Sequence, residues 1–166
     1  ANNFINYDQK KIDLIEKIET TWQQSKRINF FSNTKKFKGI YVHGDVGIGK
    51  TFIINLFIKN IENAKKIHFN HLMIDLHAFI NTNKKKENAL EIFIKNFAKK
   101  IDVIFIDELH IFNIVDALLI KKIFILFQKH KIFILVSSNF LPNDLYENGL
   151  QRNDFLPFIA LIKEQF

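Results

Sequence analysis

A run of eight residues constrains this chain more than any other: Gly44-Asp45-Val46-Gly47-Ile48-Gly49-Lys50-Thr51 fits G-x-x-x-x-G-K-[ST], the spacing of a phosphate-binding P-loop. The motif carries meaning only between a strand and a helix, and both flanks comply. Residues 38–43 (KGIYVH) read as a short buried strand, and residues 51–60 (TFIINLFIKN) as a helix with a recurring apolar face. Glycines let backbone N–H groups turn toward phosphate oxygens where a side chain would block the approach. The positive end of the following helix adds to the attraction. In this arrangement Lys50 is expected to reach the β- and γ-phosphates, and the Thr51 hydroxyl to help hold Mg²⁺. The chain has five glycines, and three of them fall inside this motif. The expectation is nucleotide binding.

Two further strand ends carry polar groups. Residues 101–108 (IDVIFIDE) read as a buried parallel strand closing on Asp107 and Glu108, the Walker B arrangement. The aspartate would support the Mg²⁺, and the glutamate would polarise an attacking water, which makes hydrolysis the expected reaction. Residues 131–136 (KIFILV) read as another buried strand running into Ser137, Ser138 and Asn139. Asn139 would lie level with the γ-phosphate, placed to bond the lytic water, although an Asn at such a point also caps turns and helices. Helices are expected over 8–27, 89–99 and 115–127, a strand and then a helix across 68–79, a connection over 29–38, a polar turn over 60–66 and a loop over 81–88. Pro142 and Pro157 fall where the chain passes from sheet to loop and helix. Strands alternating with helices predict an α/β fold of three layers with a mainly parallel sheet. Ligands of such sheets bind at the carboxyl ends of the strands, where all three polar groups would converge.

Composition narrows the reading. The chain has no cysteine, which excludes disulfides and thiolate-ligated metal centres. No apolar run reaches the roughly 18 residues of a membrane span, and the start lacks the layout of a secretory signal or an Arg-rich transit peptide. His68, His71 and His77 come without a carboxylate-rich scaffold, so partner-facing or core positions are expected in place of a metal site. The formal net charge of +7 invites a nucleic-acid partner. The lysines are scattered, however, and a chain saturated with Lys, Ile, Asn and Phe reflects A/T-rich codons as readily as a basic surface. Nucleic acid is therefore not the favoured partner.

P-loop, Walker B and Ser-Asn together resemble an AAA+ ATPase, and the chain is similar to the ZapE-like cell division ATPases and their mitochondrial relatives. The resemblance is carried by 44–51 (GDVGIGKT), 68–73 (HFNHLM), 105–118 (FIDELHIFNIVDAL) and 137–159 (SSNFLPNDLYENGLQRNDFLPFI), and it spans about 39 to 163. It implies a P-loop AAA+ core over 39–166, preceded by a helix and connection over 1–38. It also implies ATP with Mg²⁺, sensor 1 at Asn139, and an arginine finger at Arg152, which a homo-oligomer would supply across a subunit interface. The implied partner is a division protein of the FtsZ type in the bacterial cytoplasm, at the division site. For a eukaryotic relative the setting is the mitochondrial matrix and membrane-protein quality control. A helicase-loader module bound to DNA shares the three motifs and is the alternative. The family's HFHRFM stands here as HFNHLM, with Asn70 and His71 replacing His and Arg, and Asn113 stands where Asp is usual. The family's C-terminal lid with its sensor 2 arginine is not found within these residues.

Overall fold

Side chains alternate across a strand, so a sheet buried on both faces needs apolar residues at successive positions. Val103-Ile104-Phe105-Ile106 and Phe133-Ile134-Leu135-Val136 meet that requirement and are fully buried. The computed structural model describes the backbone of residues 2–31 and 39–166, and the side chains of 9–26 and 39–166. Its elements are α1 (Asn2–Phe31), β1 (Ile40–His43), α2 (Lys50–Ile58), β2 (Ala64–His68), α3 (Phe69–Thr82), α4 (Ala89–Ala98), β3 (Val103–Asp107), α5 (Ile114–Lys129), β4 (Phe133–Ser138), a 3-10 turn at Pro142–Asp144, and α6 (Arg152–Gln165).

The four strands form one parallel sheet in the order β1-β4-β3-β2. Odd-numbered residues of β3 and β4 face one helical layer, where Val103, Phe105, Phe133 and Leu135 pack with Ile18 and Trp22 of α1 and Ile53, Ile54 and Phe57 of α2. Even-numbered residues face the other layer, where Ile104, Ile106, Ile134 and Val136 pack against α3 to α6. This is the three-layer α/β architecture expected from the alternation of elements. The same parity turns Asp107 and Ser137 toward α2 and Ser138 away from it, which decides what each can touch.

Several boundaries differ from the sequence expectation. The first helix extends beyond 8–27 to Asn2–Phe31, so 29–31 are helical; the rest of the expected connection lies outside the described residues. The segment read as a polar turn over 60–66 contains the start of β2, and the strand expected from 68 onward is helical from Phe69. The reason is position in the sheet. As the edge strand of the sheet among the described residues, β2 pairs with β3 alone, so Lys65 and Lys66 stay exposed while Ile67 alone is buried. That leaves no apolar periodicity to read. The expected loop over 81–88 likewise loses its first two residues to α3. Pro157 sits inside α6 and is exposed there. A proline lacks the N–H that would bond back along the helix.

Trp22, the only tryptophan, joins α1 to the sheet through the Phe133 ring, with centroids 5.2 Å apart. Trp22→Ala is expected to cost about 3–5 kcal/mol, read as a fall in ΔG of unfolding in urea followed by circular dichroism. A cost under about 1 kcal/mol would mean that α1 is not part of this core.

Candidate active site

The P-loop occupies the turn between β1 and α2. Gly47 and Gly49 adopt φ of 85° and 90°, a backbone region that side chains disfavour, and a Cβ at either would meet nothing within 4 Å. Conformation, not space, therefore demands glycine at these two positions. Gly49 is the N-cap of α2, and Lys50 opens the helix. The Lys50 ammonium is buried and has three acceptors: Gly44 O at 2.7 Å, Asp45 O at 2.8 Å and Asn139 Oδ1 at 2.9 Å. An ammonium has three N–H donors, so all three are matched. The loop and Asn139 are thus tied directly across 89 residues of chain.

Asp107 is 1% exposed and ends β3 beside the P-loop helix. Its Oδ1 accepts from Thr51 Oγ1 at 2.8 Å and from Ser137 Oγ at 2.5 Å, and its Oδ2 pairs with Lys66 Nζ at 2.9 Å. Burial by itself would raise the carboxyl's pKa. The hydrogen bonds from Ser137, Lys66 and Thr51 outweigh it and hold Asp107 below the usual carboxylate range. Ser137 Oγ also accepts from the backbone N–H of Glu108 at 3.0 Å. That bond pins Glu108 at φ 57°, a left-handed conformation costly for a non-glycine residue. The Glu108 side chain is exposed and lines the same cleft as Lys50, Thr51, Phe52 and Asn139, a space of about 230 Å³.

The loop carrying Asn139 is braced from behind. Ser138 Oγ donates to Leu109 O at 2.7 Å and accepts from Phe140 N at 3.1 Å, while the Tyr41 hydroxyl of β1 donates to Phe140 O at 2.8 Å. Burial pushes the Tyr41 phenol up to about 12, so it stays a donor at any physiological pH. His110, its pKa lowered by burial, lies between the Phe112 and Phe140 rings at centroid distances of 3.7 and 4.3 Å. A larger cavity, about 600 Å³, lies at the far end of α2 against Trp22 and Ile15 and contains none of the motif residues.

Of the residues singled out in the sequence, Gly44, Asp45, Lys50, Thr51, Asp107, Glu108 and Asn139 come together. Val46, Gly47 and Gly49 line the same cleft, and Val46 and Ile48 are exposed apolar side chains of the loop. Arg152 is not on the wall of this cleft: its guanidinium donates to Leu145 O at 3.0 Å and Asn143 O at 2.6 Å, fastening the start of α6 to the segment after β4. His77 pairs with Asp116 at 2.7 Å, and Asn113 caps α5 by accepting from Asp116 N. Sequence reasoning missed Ser137, Tyr41 and Lys66 as site residues. For Ser137 the signal was available, since it shares parity with Phe133 and Leu135 on the face that Asp107 shares with Phe105. The donor set fits a metal–phosphate group: a lysine and a helix N-terminus for the phosphates, and a hydroxyl bonded to an ionised carboxylate for the cation.

Asp107→Asn keeps the shape but sets an amide N–H₂ or a neutral oxygen against the Lys66 ammonium. A loss of about 1–3 kcal/mol at pH 7 is expected. Because the folded pKa is depressed, wild-type Asp107 stabilises the fold fully above its unfolded value of about 3.9. That contribution disappears as pH falls through the lower folded value. The gap between the two proteins, read by urea unfolding, should therefore close below about pH 4; a gap independent of pH would show that the charge of Asp107 is not what stabilises.

A model of the AFG1-like ATPase family matches residues 5–166. The chain is 34% identical over 140 residues to Lactation elevated protein 1 homolog B of Danio rerio, covering 76% of this chain and 28% of that protein. It is 34% identical over 129 residues to Cell division protein ZapE of Escherichia coli (strain K12), covering 76% and 34%. The chain thus spans about a third of the length of these curated relatives. Among solved structures it is similar to DnaI, with a TM-score of 0.56 and 21% identity over 85% of this chain and 74% of that one, a likeness of fold alone. With the family match running over nearly its whole length, the chain belongs to the AFG1-like ATPase family.

Proposed function

We propose that this chain is the nucleotide-hydrolysing core of an AAA+ ATPase, with residues 39–166 as the ATPase domain and 1–38 as its N-terminal helix and connection. The observation that carries the reading is the bond from Thr51 Oγ1 to Asp107 Oδ1, which joins the P-loop helix to the Walker B strand across 56 residues of sequence. The backbone amides of the P-loop and Lys50 hold the phosphates, and Thr51 and Asp107 hold Mg²⁺. Bound Mg²⁺ neutralises charge on the phosphoryl oxygens. Glu108 takes the proton of the attacking water and Asn139 orients that water. Lys50 exchanges its carbonyl acceptors for phosphate oxygens and remains in reach of Asn139, so the sensor reports on what the loop holds. ATP as the nucleotide follows from the family.

Arg152 is assigned as an arginine finger acting across a subunit interface. Two of its five N–H donors are used among the described residues, and the others are offered to a neighbour's phosphate. The relative ZapE is a cell division protein by name, and the family resemblance implies that the assembly acts on a division protein of the FtsZ type in the bacterial cytoplasm. Membrane-protein quality control in mitochondria is the corresponding role for a eukaryotic chain. A DNA-bound loader is the competing reading, and steeply salt-dependent DNA binding would favour it.

The decisive measurement is Mg²⁺-dependent ATP turnover per subunit against protein concentration, with Lys50→Ala as the blank. Turnover should rise with concentration; turnover at the blank's level throughout would reject the proposal. Glu108→Gln should bind ATP normally and lose about 10²-fold or more in turnover. Arg152→Ala should bind ATP and lose about 10³-fold, and undiminished hydrolysis in it would remove the finger.

A further inference from the structure

Lys66 lies on the edge strand β2, in register with Phe105 of β3. Register partners in a parallel pair share a face, so its side chain runs over the Phe105 ring, Nζ 5.4 Å from the centroid, and reaches Asp107 Oδ2 at 2.9 Å. The other carboxylate oxygen is held by the neutral hydroxyls of Thr51 and Ser137. Asp107 therefore already has one full cationic partner, delivered by strand pairing and not by the P-loop.

The Lys66 side chain is 32% exposed, against 2% for that of Asp107, so the pair has a wet side and a dry side. On the wet side Lys66 also lines a cleft of about 520 Å³ together with His68, His71 and Asp75. That cleft offers room, and the carboxylate of Asp75, to an ammonium that leaves Asp107. A divalent cation supported by Asp107 meets a positive charge on the same carboxyl group. It must push the ammonium toward Asp75 or bind beside it against Coulomb repulsion. Both routes weaken metal binding relative to an unpaired aspartate.

We propose that Lys66 is a resident counter-cation of Asp107 that competes with Mg²⁺ and so sets the divalent-cation concentration at which the site accepts metal-bound nucleotide. The inference rests on the nucleotide-binding reading above and adds to it a regulatory residue outside the P-loop and Walker B motifs. It also accounts for a lysine whose charge opposes that of the cation: its bond is to the carboxylate.

The test is equilibrium binding of a fluorescent ADP analogue, titrated with MgCl₂ at constant ionic strength. K66M should reach half-saturation at about fivefold lower Mg²⁺ than wild type, while K66R, which keeps the charge, should stay within about twofold. A requirement that is unchanged or raised in K66M overturns the proposal; K66Q serves in its place if K66M fails to fold by circular dichroism. A second readout needs no charge-removing variant. In the ¹³C-methylated wild-type protein, the Lys66 resonance, assigned by its absence in K66R, should shift when Mg²⁺ is added to the ADP-bound chain. A resonance indifferent to Mg²⁺ overturns the proposal. A wild-type chain that binds the analogue no better than Lys50→Ala rejects the nucleotide reading itself. Analogue binding with a Mg²⁺ requirement indifferent to Lys66 rejects only this inference.

Discussion

The Asp107 carboxylate is where the parts of this structure meet. Its partners come from the P-loop helix (Thr51), the central strand β4 (Ser137) and the edge strand (Lys66), and a buried carboxylate is tolerable only while such partners hold. Removing the charge from water is costly, so each donor that compensates for it is also fixed in place by it. The position of β2 against β3, of α2 over the sheet and of Ser137 at the end of β4 are thereby linked through one side chain. The Lys50 ammonium plays the complementary part, a buried cation matched by two P-loop carbonyls and Asn139. The acidic and basic halves of the site are each satisfied within the chain, and both draw on the strands at the centre of the sheet.

Rigidity in the site is distributed unevenly. Asp107, Ser137 and Ser138 are almost wholly buried and bonded, and Tyr41 fastens the loop after β4 through Phe140. Glu108 is the contrast: its backbone is held in a left-handed turn by Ser137 while its side chain stands in the cleft. A carboxylate aimed by a strained backbone and left exposed is suited to meeting a water molecule and not to bearing load. Phe52, 63% exposed one residue past Thr51, adds an apolar wall to the same cleft.

Much of this was legible in the linear chain because the motifs are local. Residues 44–51 encode their own turn through glycine and their own charge through Lys50, and the apolar runs at 103–106 and 133–136 encode strands buried on both faces. The three-layer fold followed from their alternation with amphipathic segments. The failures are equally physical. β2 was placed too late along the chain because an edge strand buries one residue in five and otherwise presents mostly lysines and a histidine, which reads as a turn. With β2 displaced, Lys66 was assigned to a polar surface, and its pairing with Asp107 could not be seen. Arg152 is a different case: a finger acts across a subunit interface, so the single chain shows only that it holds two backbone carbonyls.

What the sequence determined by itself is the chemistry: a phosphate loop, an acid pair and an asparagine, each at the end of a strand, because these depend on residue type and on spacing within a few positions. What only the tertiary structure decided is which atoms of those groups are engaged and by whom. Thr51 reaches Asp107 because α2 packs over that face of the sheet, while Ser137 orders both Walker B residues and Lys66 takes the remaining carboxylate oxygen because parallel register brings residues far apart in sequence onto the same face. Register is a property of strand pairs, set by how two faces bury together, and no single stretch of chain contains it.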